Sequence, residues 1–525
     1  MDRLLQDLRF AVRLLWKDRS FTATTVATLA LCLAANIAIF AVVDGVLLKP
    51  LPFPEPHELV RINNAYPGAG VESADNGVPD YLDRKRDVSA FEEVAMFRQA
   101  GVTISGAGFS EAERIQSMIV TPSLFRALQT QPLRGQLFTD AQGEIGQERV
   151  VVVTYGFWQR VFGGRDDALG QDVRLGGVPY RVVGVLPAGF VVLNQEIQLF
   201  RPAAFTPQEQ SDQARHSNNW QMMARLKAGA TREQAQSQVN ALNASNMERF
   251  PQWREVLTNA RFRTDVVDFQ EHLIGRQRAT LTMLWGGAIF VLLIGAVNVA
   301  NLVLVRSTSR LRELATRHAM GATFGRLTRQ SLTESIVLAV AGGVAGIALG
   351  WWAIQSAPFL GIEQLPSGAI VTLDMRVFGF TLLLVAAVGI AVGMIPIVAM
   401  RHANMAQVIR EEGRSGTQGR GPRLMRRALV TSQVAFALIL LIGAGVLLAS
   451  FERVLNIHPG FAAEHLLIGT VSLPASRYAD DAAVLSTTDR LLEQVRVLPG
   501  VVGAGVTTTL PFSGNYSDSV ILAEG

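Results

Sequence analysis

Five long apolar runs without a charged residue constrain this chain more than any other feature. They are Ser20–Val43, Ala279–Val305, Ser335–Ile362, Val377–Met400 and Ala428–Phe451. Each is longer than the roughly 20 apolar residues that a helix needs to cross the hydrocarbon core of a bilayer. A charge at the centre of such a helix would cost about 2.5–3.5 kcal/mol on insertion scales. The runs therefore predict a polytopic α-helical membrane protein and argue against five buried helices of a soluble core.

Composition limits the chemistry that the chain can perform. Charged residues make up only 18% of it, against about a quarter in soluble proteins. Cys32 is the single cysteine, so no disulfide can form within the chain. Lysine occurs only at Lys17, Lys49, Lys85 and Lys227, and none of these follows a glycine. A P-loop needs the Gly-Lys pair, so we expect no Walker A site and no ATP hydrolysis by that machinery.

No catalytic, metal or cofactor site stands out. The histidines are scattered without a pair at the i, i+4 spacing that a helical zinc site uses. Four polar residues, Asn36, Asp44, Asn298 and Asn301, lie in or beside the apolar runs and are functional candidates by position. Asp44 is near the end of its run, which favours a solvated place at the membrane interface. We also expect no nucleic-acid partner.

The distribution of basic residues predicts the orientation. Lys and Arg are frequent in 1–19, 306–330 and 401–427 and absent from 357–374, and cytoplasmic loops are the ones enriched in them. We therefore expect a cytoplasmic N-terminus, a periplasmic main domain and a place in the bacterial inner membrane, with the first run kept as a signal anchor. The predicted segments are a cytoplasmic amphipathic helix at 1–19, spans at 20–46, 279–305, 335–356, 377–400 and 428–451, external parts at 47–275, 357–374 and 452–525, a cytoplasmic helix at 306–330 and a cytoplasmic linker at 401–427.

The N-terminal segment has the pattern of a surface helix. Apolar residues recur at helical spacing from Leu4 through Leu8 and Ala11 to Leu15, with charged residues on the other side. This favours a helix lying on the lipids of the inner leaflet. A dedicated partner-binding role is the alternative.

The external segment 47–275 mixes strand and helix signals. Valine-rich runs at Arg149–Thr154 and Tyr180–Leu186 predict strands. Helices are predicted at Pro79–Arg86, Ser123–Leu128 and Thr231–Glu248, the last opening with a capping-box pattern. Such a mixture predicts an α+β domain.

Small residues recur in the third span. Gly342, Gly346 and Gly350 are four residues apart, so they lie on one helix face, where small side chains let two helices approach closely in lipid. One interpretation is a packing seam that can slide. Ordinary intramembrane packing is the other, and the spacing does not separate them.

The chain contains signs of an internal duplication. Gly45-Val-Leu-Leu48 at the end of the first span recurs as Gly445-Val-Leu-Leu448 at the end of the fifth. Tyr81–Ile104 reads as a polar helix, a turn and a strand, and Arg490–Thr508 has the same order. We therefore expect a second copy that is cut short, and a chain that is a fragment or a truncated form.

The stretch Ser309–Leu327 is expected to form a short cytoplasmic helix between two spans. Its apolar residues share one face, and Glu313 and Arg317 can pair at i, i+4. Such a helix is suited to pass motion from a cytosolic partner to the spans. A basic helix resting on anionic lipid headgroups is the alternative, and periodicity favours neither.

Three groups of motifs resemble one family. Arg312-Glu313-Leu-Ala-Thr-Arg317-His-Ala-Met-Gly321-Ala322 resembles the cytoplasmic coupling motif of MacB/FtsX-type ABC permeases. Pro122–Phe125, Pro132–Phe138 and Val151–Phe190 resemble the MacB-like periplasmic core domain. The opening Asp7–Leu15, together with the duplication, resembles the duplicated orphan permease branch of that family.

The resemblance implies a function and partners. It implies a permease subunit that transmits ATP-driven motion to periplasmic domains for export, with Arg312, Glu313, Arg317, Gly321 and Ala322 contacting a cytosolic ABC ATPase. MacB has a fused ATPase, whereas this chain has no Gly-Lys pair, so the ATPase would be a separate subunit. A second permease copy or an internal pseudo-dimer, a periplasmic adaptor and membrane lipids are the other implied partners. An FtsX-like signalling module that activates a periplasmic partner without transport is the alternative.

Overall fold

The computed structural model describes most of the chain. The described residues are 2–106, 112–193, 196–319, 324–356, 371, 373–401, 420–458, 465–471, 473, 478 and 480–507. The chain divides into two compact units. We call Met1–Lys49 with Arg276–Leu466 the membrane unit, and Pro50–Gly275 with Leu467–Gly525 the head.

Long helices build the membrane unit. They are α1 (Asp2–Lys17), α2 (Arg19–Val43), α9 (Phe269–Ala319), α10 (Phe324–Ser356), α11 (Met375–Arg401) and α12 (Arg420–Leu455). Among the described residues, five stretches are long and apolar enough to cross a membrane: Arg19–Leu48, Gln277–Arg306, Thr328–Ser356, Met375–Ile395 and Arg427–Leu455. The predicted fold class, a polytopic helical membrane protein, is confirmed.

Helix α2 lies at the centre of the membrane unit. Its Leu29, Leu33 and Ile37 are fully buried, in one cluster with Val299 of α9 and Val385 of α11. No residue in the apolar stretch of α12 is buried. An apolar surface of this kind requires lipid or another helix around it.

The head is built on one sheet. The strand order is β11-β1-β10-β3-β4-β9-β6-β8-β5, with β2 paired to β1 and β7 paired to β3 and β8. Among the strand pairs that the structure describes, β4–β9 and β6–β8 are parallel and the others are antiparallel. The strands are β1 (Leu59–Tyr66), β2 (Val71–Ala74), β3 (Phe91–Gly106), β4 (Glu113–Val120), β5 (Arg134–Gly135), β6 (Val150–Val153), β7 (Asp172–Leu175), β8 (Val178–Val185), β9 (Ile197–Pro202), β10 (Gln221–Leu226) and β11 (Arg263–Asp268).

Both faces of this sheet are covered. Along β3, Val94 and Met96 point into one core cluster and Ala95 and Phe97 into another, as the two-residue period of a strand requires. The remaining helices are α3 (Val78–Asp87), α4 (Ser123–Ala127), α5 (Tyr155–Phe162), α6 (Pro207–Gln210), α7 (Arg232–Arg249), α8 (Pro251–Asn259) and α13 (Asp481–Arg496). The α+β domain is confirmed.

Local signals in the head agree with the structure within one or two residues. The run Arg149–Thr154 contains β6 and Tyr180–Leu186 overlaps β8. Both hydrogen bonds of the α7 capping box are formed. The backbone N–H of Gln234 donates to Thr231 Oγ1 at 3.2 Å, and the backbone N–H of Thr231 donates to Gln234 Oε1 at 3.0 Å.

The expected short helix at Ser309–Leu327 is wrong in one respect. Helix α9 continues without a break from Phe269 to Ala319, so the first half of that segment is the end of a spanning helix. No glycine or proline lies between Arg306 and Ala319, and nothing there stops a helix. At 1.5 Å per residue, the 51 residues of α9 extend over roughly 76 Å.

The repeat at Arg490–Thr508 is only half formed. Helix α13 ends at Arg496, and no strand is present in 497–507, the described residues next along the chain. The predicted strand is therefore wrong over these residues. A strand requires a hydrogen-bonded neighbour, which β3 finds in β10 and β4, and 497–507 pairs with none of the described strands.

Candidate functional site

The three glycines of α10 lie directly against α2. A Cβ atom on Gly342 would stand 2.7 Å from Leu29 Cβ, and one on Gly346 would stand 3.0 Å from Leu33 Cβ. The third, on Gly350, would stand 3.3 Å from Ile37 Cγ2. The contacts repeat every four residues on both helices, so the small face of α10 lies along a ridge of α2. We call this contact the glycine seam.

A second close contact, absent from the sequence analysis, lies on the other side of α10. A Cβ on Gly343 would stand 2.6 Å from Val385 Cγ2 of α11. In return, Gly389 and Gly393 of α11 approach α10, where added Cβ atoms would stand 3.3 Å from Ala339 Cβ and 2.9 Å from Leu332 Cδ2. The four-residue spacing of Gly389 and Gly393 was the available signal. Helix α10 is thus packed closely against both neighbours.

Asn36 links α2 to α9. Its side-chain amide is fully buried and donates hydrogen bonds to the Ala288 carbonyl at 2.7 Å and the Cys32 carbonyl at 2.9 Å. Gly295 of α9 lies against the Cys32 side chain. A hydrogen bond between two membrane helices contributes on average about 0.6 kcal/mol, so Asn36 chiefly fixes the register of α2 on α9.

In the sequence, the predicted coupling residues lie at the end of α9 and between α9 and α10. Arg312, Glu313 and Arg317 are in the last turns of α9. Their side chains, and the whole of Gly321 and Ala322, lie outside the described residues, so the Glu313–Arg317 pair and the ATPase contact stay predictions. Helix α10 begins at Phe324.

Helix α1 is attached next to this region. Asp7 Oδ2 accepts from Arg329 Nε of α10 at 2.6 Å, while Ala11 and Leu15 are buried against the membrane unit. A separate row at four-residue spacing, Leu8, Val12 and Trp16, stays exposed, and Trp16 is 70% exposed. The amphipathic pattern therefore combines two apolar faces, of which one packs on protein.

Asp44 is not at a solvated interface, and that expectation is wrong. Its side chain is only 2% exposed. Oδ2 lies 3.9 Å from Lys49 Nζ, and Oδ1 lies 3.7 Å from Arg376 Nη1 of α11. The cause is local: Asp44–Leu48 forms a π-helical turn at the end of α2, beside the start of α11. Asp374, which precedes α11, accepts from Lys49 Nζ at 2.8 Å.

Beyond Lys49 the chain becomes stiff. Prolines occupy 50, 52, 54 and 56, and proline fixes the backbone φ angle. We call residues 50–56 the proline connector. In the head, the fully buried Arg225 of β10 binds the far end of this connector. It donates to the Pro54 carbonyl at 2.9 Å and to Glu58 Oε2 at 2.8 Å. These contacts could not be predicted from local sequence, because Glu55 and Glu58, its partners here, are more than 160 residues away in the chain.

No metal centre is visible in the part of the chain that the structure describes. None of its His, Cys, Asp and Glu residues form a group of three that could hold an ion. The fold and these contacts define a class of protein: a multispan helical membrane protein with a large α+β domain outside its spans.

Comparison with known families agrees with this class. Residues 22–242 match the MacB-like periplasmic core domain and residues 285–405 match the FtsX-like permease C-terminal domain. The chain belongs to the MacB/FtsX-type ABC transporter permeases.

Curated relatives are distant but consistent. The pyoverdine export ATP-binding/permease protein PvdT of Pseudomonas syringae pv. tomato is 26% identical over 66% of this chain and 51% of its own length. The macrolide export ATP-binding/permease protein MacB of Bdellovibrio bacteriovorus is 25% identical over 64% of this chain and 50% of its own length. The uncharacterized ABC transporter permease YknZ of Bacillus subtilis is 40% identical over 15% of this chain and 20% of its own. The chain thus spans about half the length of the two export proteins.

Proposed function

We propose that this chain is the permease subunit of an ABC-type exporter that works by mechanotransmission, with ATP hydrolysed by a separate cytosolic subunit. One observation carries the proposal. Helix α9 is a single helix that begins at Phe269, which is fully buried in a core of the head, and ends at Ala319, inside the coupling motif. No loop interrupts this helix, so a force on its last turns would be transmitted along its whole length.

The proposal includes an orientation. The N-terminus and the end of α9 face the cytoplasm of a bacterial inner membrane, and the head lies in the periplasm. The excess of arginine in 306–330 and 401–427 and its absence from 357–374 support this arrangement. The match of residues 22–242 to a periplasmic core domain supports it independently.

The contacts between helices indicate how motion would be transmitted from α9 and α10 to α2. The ATPase pushes on the end of α9 and the start of α10, and α10 moves against α2 along the glycine seam. Small residues make such a contact smooth, because no side chain from Gly342, Gly346 or Gly350 interlocks with the ridge of α2. Helix α2 then passes the motion to the head through the proline connector and Arg225.

The proposal names several partners. The names of the relatives combine ATP binding with a permease and support an ATP-driven mechanism. Because no lysine of this chain follows a glycine, the ATPase is assigned to a separate subunit. A second permease copy, or a second half within a longer protein, would cover the exposed α12. A periplasmic adaptor and membrane lipids complete the set. Export is favoured over signalling because PvdT and MacB are both named for export.

The direct test is co-purification of the ATPase. The full chain is expressed with the products of its neighbouring genes, extracted in detergent and recovered by a tag. We expect an ATP-binding subunit to co-purify with the wild type and to be recovered several-fold less with Glu313→Ala/Arg317→Ala. The matched control is Arg232→Ala/Glu233→Ala, the same residue types in an exposed pair of the head. Equal recovery from all three proteins would contradict the coupling role.

A further inference from the structure

The end of the first span combines three features that the family match does not explain. It has a π-helical turn at Asp44–Leu48, a buried carboxylate at Asp44 and a proline connector that starts at Pro50. A π turn holds one more residue than an α turn and often marks a functional position in a helix. In this chain the π turn ends one residue before Lys49, the last residue of the first segment of the membrane unit.

Below the turn, α2 is held firmly. Phe40 stacks on Phe380 of α11 with ring centroids 3.9 Å apart, and its centroid is 5.8 Å from that of Trp285 of α9. One turn later the geometry changes from α to π, with the Lys49 N–H donating to the Asp44 carbonyl at 2.8 Å. The helix is therefore held by aromatic packing just before the turn, and its geometry changes at the turn itself.

The ionic contacts of Asp44 are long and therefore weak. Its contacts with Lys49 and Arg376, at 3.9 and 3.7 Å, are longer than the 2.7–2.9 Å typical of a charged hydrogen bond. Lys49 is closer to Asp374, which also accepts from the backbone N–H groups of Arg376 and Val377 at 3.0 and 3.2 Å. Two carboxylates thus share one lysine, and only one of them caps a helix.

We propose that Asp44–Leu48 is a joint that changes between π and α geometry during transport, and that Asp44 is the positioning residue that holds it in the π form through Lys49 and Arg376. The inference rests on the proposed function, because it assigns the joint to the relay between the spans and the head. A change from π to α removes one residue from the turn and rotates the chain beyond the turn by about 100°. The stiff connector would carry that rotation to Arg225.

The buried charge makes the joint sensitive to its neighbours. Asp44 is only 2% exposed, and a buried carboxylate stays ionised only while charges of opposite sign lie near it. If α10 and α11 shift, Arg376 moves away from Asp44, and the π turn loses the contact that holds it. A small displacement between helices is thereby converted into a change of helix type at one defined place.

Hydrogen–deuterium exchange of the full chain with its ATPase in nanodiscs tests the joint directly. Local opening sets the exchange rate of helix amides. We expect slow exchange in the peptide covering 44–49 without nucleotide, and exchange at least about tenfold faster in Asp44→Asn. The matched control is Asp172→Asn, a carboxylate of the head that also lies 3.9 Å from its arginine, and it should behave as the wild type.

The outcomes separate the joint from the proposed function. Unchanged ATPase recovery and thermal stability, together with faster exchange in 44–49, support a positioning role. Exchange in Asp44→Asn equal to that of the wild type overturns the joint. If ATP changes exchange elsewhere in the wild type but not in 44–49, the turn does not move during transport and the joint is overturned. If ATP changes nothing anywhere in the wild type, the proposed function fails, and the comparison without nucleotide still decides whether Asp44 holds the turn. Should Asp44→Asn not fold, Arg376→Gln, at a side chain 60% exposed, must accelerate the same amides, and its failure to do so also overturns the proposal.

Discussion

Single residues in the head show how strongly this domain depends on buried polar partners. Arg84 is almost fully buried and donates to Asn64 at 2.9 Å and Thr264 at 3.1 Å. Arg215 donates to Asp80 and Asp83 at 3.1 and 2.8 Å. Removal of one member of such a network leaves an uncompensated buried charge, which costs about 3–5 kcal/mol. These residues are therefore expected to be structural.

His216 gives the head a defined sensitivity to acid. Its ring lies against Phe262 and hydrogen-bonds Tyr66 at 3.0 Å, and burial lowers the pKa of His216 below its ordinary 6.5. The unfolded chain takes up this proton first, so the contribution to stability is present above pH 6.5 and is lost as the pH falls toward the lowered pKa.

Thermal unfolding of the full chain in detergent, from pH 7.5 to 5.0, measures this effect. The unfolding temperature of the wild type is expected to fall over that interval, and His216→Gln is expected to show a flatter profile. His57→Gln, at an exposed histidine, is the matched control and should follow the wild type. Identical profiles for all three proteins would show that His216 is not the group that titrates.

Gly342 is the residue at which the glycine seam is tightest. Gly342→Leu would place a side chain where Leu29 Cβ already lies, and overpacking of this kind costs roughly 1–3 kcal/mol. Gly379→Leu on α11 is the matched control, since a Cβ there has no neighbour within 4 Å. We expect a lower unfolding temperature in detergent for Gly342→Leu only. Equal stability of the two variants would show that the helices are not this close.

Among the elements, α9 is the one on which the proposed relay depends most. Ala279→Pro, at an exposed position near the head-side end of the span, would remove a backbone hydrogen bond and bend the helix. Neighbouring helices make proline tolerable inside a membrane. We expect the ATPase to remain bound and to hydrolyse ATP, while export in whole cells falls at least severalfold. Ala279→Leu should export normally, and normal export by the proline variant would contradict a role for α9 as a stiff rod.

Elements were predictable wherever the signal was local. The apolar runs, the valine-rich strands and the capping box of α7 depend on residues close in sequence, and each was found. The continuity of α9 was missed because the change from apolar to basic residues near Arg306 resembled a boundary, although a helix can cross it unchanged. The π turn and the burial of Asp44 were missed because Arg376, which lies near this carboxylate, is far away in the chain. The contacts of Arg225 with Glu55 and Glu58 were missed for the same reason.

At the scale of the whole molecule, two routes lead along the chain from the membrane unit to the head. One is the continuous helix α9. The other is α2 with its π turn, the proline connector and the anchor at Arg225. Both routes leave helices that contact each other through Asn36, so the proposed relay has two covalent connections to the head.

A distance measurement across the two units tests the central claim most directly. The full chain with Cys32→Ala, labelled at Ile145→Cys in the head and Met375→Cys in the membrane unit, both exposed, is reconstituted with its ATPase in nanodiscs. Pulsed electron resonance then gives the distance between the labels with and without ATP. We expect a shifted distribution with ATP, and no shift when Glu313→Ala/Arg317→Ala is added. An unchanged distribution while ATP is being hydrolysed would contradict the relay.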